Sequence, residues 1–127
     1  MNEHTISRIA IYMLSIVMII FGINHFLQPK SLLTYVPPFL PGGIIWVYVV
    51  GVAFILAALS FVFNTQVKLA AWLLAIMLLI FVLAVHLPNF MEAGNEEMKQ
   101  QALVSILKDS ALAAFALHIA SNARTVG

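Results

Sequence analysis

Apolar residues run along this chain in four long blocks, separated by short polar or helix-breaking stretches. A helix needs about 20 mostly apolar residues to cross the hydrocarbon of a bilayer. The blocks predict spans over about 6–27, 44–63, 69–87 and 102–120. The first opens on Arg8 and closes near Asn24 and His25, and the second carries no charge. The third is expected to stop at Pro88 and Asn89. Between the first two lies the segment 29–43, where Pro37, Pro38, Pro41 and the pair Gly42 and Gly43 break helix and favour turns. Its Leu32, Leu33, Tyr35, Val36, Phe39 and Leu40 keep it apolar, which predicts a Pro-rich interfacial loop with Tyr35 and Trp46 at headgroup level. The stretch 64–66 reads as a tight turn. The stretch 92–101, with Glu92, Glu96, Glu97 and Lys99, reads as a polar loop.

Composition turns this pattern into a statement about solvent. The 127 residues are 63% hydrophobic and 9% charged, against soluble averages of roughly half apolar and a quarter charged. A single domain of this length has too little interior to hide that much apolar surface from water. The predicted fold class is therefore all-α, a single bundle of four transmembrane helices with the lipid bilayer as its first partner. A net charge of +1 without a basic stripe gives no nucleic-acid footprint. With no cysteine, disulfides and thiolate chemistry are excluded within the chain. The apolar run 9–23 is long for a secretory signal, and no small-x-small cleavage pattern follows it, so it is expected to be a retained span.

Four crossings place both termini on one side, and short connections make sequential helices antiparallel neighbours. Arg8, Lys68 and Arg124 fall on the terminal side, against Lys30 and Lys99 with three glutamates on the other. The positive-inside rule then predicts cytoplasmic termini. Gly51, the pair Ala53 and Ala57, Ala58, Ala71, Ala75, Ala113, Ala116 and Ala120 supply the small residues on which helix association in lipid relies.

Polar side chains inside hydrocarbon are costly, and each is a candidate for function. The first and third spans run parallel, so Asn24 and His25 arrive at the same end of the bundle as His86 and Asn89. The fourth span starts from that end, which places Asp109 at a similar depth. Ser105, Asp109, Ala113 and Ala116 share one helical stripe that should face the bundle. Asp109 is too short to reach water, so it has to be paired or neutral, with His25 or His86 as its partner by depth. Lys108 lies about a hundred degrees round the helix, and its long stem suggests a cation that snorkels to the membrane edge. His118 lies toward the opposite face, and His4 is expected to be solvated.

Three readings of the cluster Asn24, His25, His86, Asn89 and Asp109 compete. The two histidines could ligate a haem, which is the least favoured reading, and no metal-ligand spacing is visible. A His–Asp pair could relay protons or hydrogen-bond a quinone. The third reading is a polar clamp that fixes helix register.

The stretches GINHFLQPKSLLTYVPPFLP, VYVVGVAFILAAL, KLAAWLLAIMLLIFVLAVHLPNFM and LVSILKDSALAAFA resemble the DoxX family of small bacterial membrane proteins over nearly the whole chain. His25 with Phe26, Pro29, the VPPFLP run and Pro88 with Asn89 carry most of the likeness. The resemblance implies a four-helix bundle in the bacterial inner membrane and a link to redox biology, as in subunits of quinone-reducing or oxidative-stress complexes. Members of the family tend to carry a glutamate in the second span, where this chain has Phe54. The function so expected is an accessory subunit of a membrane redox complex, binding a quinone or a partner subunit through the cluster around His25, His86 and Asp109, with the cofactor otherwise open. The alternative is a non-enzymatic scaffold or binder of a small lipid-like ligand, with homo-oligomerisation left open. A stand-alone enzyme is the least expected class, because no nucleophile–base pair is visible.

Overall fold

The computed structural model describes residues 2–123, so Arg124 lies outside the described residues. Among the described residues all regular structure is helical: α1 (Glu3–Leu27), α2 (Pro29–Leu33), α3 (Ile44–Phe63), α4 (Val67–Phe81), a π-helical turn (Val82–His86), α5 (Leu87–Met91) and α6 (Glu96–Asn122). The segment α4, π-turn and α5 forms one rod over Val67–Met91. That rod, α1, α3 and α6 are each long and apolar enough to cross a membrane. Ile16, Ile20, Leu56, Leu73, Leu83 and Leu107 stand 58%, 60%, 59%, 58%, 66% and 60% exposed on the outside of the bundle. Such a surface marks contact with lipid or with other chains, and with four helices long enough to span a bilayer the chain reads as a multi-pass membrane protein.

Two of the helices differ from the pattern of hydropathy. The third passes through Pro88 instead of ending there. The fourth begins at Glu96, inside the expected polar loop. Asn95 caps that start by accepting from the Met98 amide at 2.8 Å, with Glu96 and Glu97 in the first turn favoured by the helix dipole. Hydropathy reports the solvent, whereas caps set where backbone hydrogen bonding begins.

The helices pair as two hairpins, α1 with α3 and α4 with α6, joined by the turn after α3. Asn64 and Gln66 make that turn at φ 56° and 51°, a region that asparagine tolerates better than most residues. In the first hairpin the backbones touch through glycine. A Cβ on Gly22 would lie 2.9 Å from the Gly51 carbonyl oxygen, and one on Gly51 would lie 3.1 Å from the Gly22 carbonyl. In the second hairpin Ala71, Ala75, Ala116 and Ala120 are fully buried. Leu14, Met18, Phe54, Phe61, Leu74 and Leu78 fill the space between the hairpins.

Candidate functional site

The site forms at the end of the bundle where α1 finishes and α6 begins. His86 is positioned by the π-turn. Pro88 has no N–H to give to the Ala84 carbonyl, and its ring would crowd that carbonyl in a regular helix. The wider turn relieves this conflict, with the Leu87 amide bonding the Val82 carbonyl five residues back. Turns of this kind recur at functional sites. Here the turn presents His86 to α6.

Asp109 meets it there. It is 5% exposed, on the stripe with the buried Ala102, Ala113, Ala116 and Ala120. Nε2 of His86 donates to Oδ2 of Asp109 at 2.9 Å, part-buried. A carboxylate only accepts, so Nε2 carries a proton in this bond. Nδ1 is enclosed and meets no partner among the described residues. The Tyr35 ring packs edge-to-face with the imidazole, with centroids 5.9 Å apart.

Lys108 has the exposure of an edge residue and also reaches the site. Its side chain is 46% exposed, yet Nζ lies 3.6 Å from Oδ1 of Asp109 and 4.8 Å from the centroid of Phe21 on α1. Helical phase fixed its Cα correctly, but a four-carbon stem lets the ammonium turn back toward the charge beside it. Its partial exposure keeps this contact weak.

His25 occupies the opposite wall. Its Nδ1 donates to the Phe21 carbonyl at 2.6 Å, and its ring packs on Phe54 with centroids 5.5 Å apart. Phe54 is buried and also touches Phe21, at 5.8 Å. Phe54 thus forms an aromatic floor beneath the two rings.

Between these walls is a cavity of about 700 Å³. Asn24, His25, His86, Ser105, Lys108 and Asp109 supply its polar lining. Val50, Phe54, Met77, Ile80, Phe81 and Ala84 form apolar walls, and Leu32, Tyr35, Val36, Pro37, Phe39 and Leu40 of the proline-rich segment also line it. Trp46 lines it as well and donates from Nε1 to the Pro41 carbonyl at 2.7 Å, tying the end of that segment to α3. Of the five residues expected to cluster, Asn24, His25, His86 and Asp109 share this cavity. Asn89 is exposed on α5 and is not among the lining residues. His118 sits at the far end, bonded to Asn122. Tyr35 and Lys108 were not legible as site residues, because one comes from an irregular segment and the other is reached through side-chain flexibility.

The geometry limits metal chemistry. Among the described residues no three His, Asp or Glu side chains are grouped to hold an ion. Ligation through Nε2 of His86 would have to break its bond to Asp109. What the cavity offers is an apolar volume with several hydrogen-bonding groups gathered on one wall, the usual form of a small-molecule site.

Residues 14–120 match the family described as Domain of unknown function (DUF8561). The chain belongs to the DUF8561 family. No curated protein and no solved structure matches it. The match spans the whole site, from Asn24 to Asp109.

Proposed function

We propose that this DUF8561 member is a binding subunit for a lipid-soluble small molecule with a hydrogen-bonding head, a quinone first among them, in the bacterial inner membrane. The observation that carries this reading is the cavity of about 700 Å³ whose apolar walls converge on the His86–Asp109 pair. Lys108, Ser105 and Asn24 bring N–H and O–H donors to it, as a carbonyl head requires. A quinone bound here would exchange electrons with a neighbouring subunit, in keeping with the DoxX likeness of the chain. The excess of Arg8, Lys68 and Arg124 over Lys30 and Lys99 favours cytoplasmic termini, a site in the outer leaflet and an interfacial proline-rich segment.

Trp46 makes this testable. The chain has two tryptophans, and Trp72 is not among the cavity residues. In a Trp72→Phe variant in mild detergent, a short-tailed benzoquinone is expected to quench Trp46 saturably. Quenching that rises linearly without saturation, and equally in a variant retaining only Trp72, would overturn the proposal.

A further inference from the structure

The α3–α4 seam carries the observation that goes furthest. A second, apolar cavity of about 330 Å³ lies along it, lined by Ala53, Ala57 and Ser60 on α3 and by Leu69, Ala70 and Leu73 on α4. It neighbours the first cavity, since Met77 lines both. The small side chains on α3 face Ala70, so the helices leave an open furrow there instead of interlocking. From Met77 the furrow continues to Gln66, about 16 Å at the rise of an α-helix. Polar groups stand at one end and an apolar channel leads away from them. Met77, unbranched and flexible, sits at the junction.

We infer that the ligand is a long-tailed lipid whose head occupies the polar cavity and whose tail passes Met77 into the α3–α4 furrow toward Gln66. This inference rests on the binding role proposed above and adds the tail and its path. Lipid tails are as apolar as the furrow, so the tail contributes packing and orientation more than hydrophobic affinity. Position is therefore the informative readout.

The probe is a benzoquinone whose saturated tail is long enough to reach Gln66 and ends in a diazirine. After photolysis of the whole protein in detergent, adducts are expected on Leu69, Ala70 and Leu73, and an excess of unlabelled short-tailed benzoquinone should remove them. Ala70→Phe should also abolish these adducts while leaving the quenching of Trp46 by the short-tailed compound unchanged, which shows that the variant is folded. Adducts that persist when the short-tailed compound saturates Trp46 would mean that the furrow takes any bilayer chain, and would overturn the inference. Adducts scattered over outward positions such as Ile16, Ile20 and Leu83, with Trp46 quenching intact, would overturn the tail path and leave the head site standing. Loss of saturable Trp46 quenching in the parent protein would overturn both.

Discussion

Removing His86 or Asp109 singly and together separates a coupled pair from two neighbours. In His86→Leu the carboxylate of Asp109, 5% exposed, keeps only the half-exposed Lys108 at 3.6 Å. Leaving a buried carboxylate without its partner costs roughly 3–5 kcal/mol, and Lys108 brings this to the lower end, about 3 kcal/mol. In Asp109→Leu the stranded group is an N–H of His86, and Lys108 can turn outward. An unsatisfied buried donor costs roughly 1–3 kcal/mol, so about 2 kcal/mol is expected. The double variant leaves neither charge nor donor, and apolar replacement of a buried pair is commonly close to neutral. The expected order is therefore His86→Leu worse than Asp109→Leu, with the double variant more stable than either. Unfolding in mixed micelles, followed by helical circular dichroism against the mole fraction of denaturing detergent, measures all four corners. A coupling of about 2 kcal/mol or more would stand above the usual value of about 0.6 kcal/mol for interhelical hydrogen bonds in membranes. If the double variant loses the sum of the two single losses, the pairing is not energetically coupled and the reasoning fails.

Gly51→Ala should cost roughly 1–3 kcal/mol in the same assay, because its Cβ would lie 2.9 Å from Cβ of His25 and 3.1 Å from the Gly22 carbonyl. Gly94→Ala, with nothing within 4 Å, is the control and should fall within about 0.5 kcal/mol of the parent. Pro88→Ala supplies an N–H for the Ala84 carbonyl, so the π-turn should relax toward regular helix and rotate His86 away from Asp109. Slower amide exchange over 82–91 together with weaker Trp46 quenching is expected, and unchanged quenching would show that the turn does not position the site. Gly94→Cys, the sole thiol in the variant, should react with a membrane-impermeant maleimide in intact cells. Protection there, with labelling only after lysis, would invert the proposed orientation.

Much of this arrangement is legible in the sequence, and the exceptions have physical causes. The apolar blocks place all four long helices because lipid imposes one length and one solvent on each. Parallel spans put His86 and Asp109 at one depth, and helical phase turns Asp109 inward. What hydropathy misses is set by other forces. Asn95 starts α6 before the apolar block by capping the backbone, and the rod over Val67–Met91 absorbs Pro88 by widening a turn. Gly22 is apolar and unremarkable within its block, and only the approach of α3 shows that no side chain fits there. The packing of Tyr35 against His86 depends on the path of an irregular segment, for which the sequence offers no periodicity.

The placement of charge argues for a binding site over a conduit. Asp109 is the one buried acid among the described residues, and its oxygens face the His86 ring and the Lys108 ammonium on its own side of the bundle. A relay needs a second ionisable group further along the path, and span two offers none there. Phe54 stands there, buried between Phe21 and His25. Beyond it the core continues through Ala57, Ala58, Phe61 and Leu74, and the buried hydroxyl of Ser15 is bonded back to the Ile11 carbonyl of its own helix. A proton reaching Asp109 from the polar end would meet apolar packing ahead of it. A closed floor beneath a hydrogen-bonding head site suits a ligand that arrives laterally from the bilayer and leaves the same way.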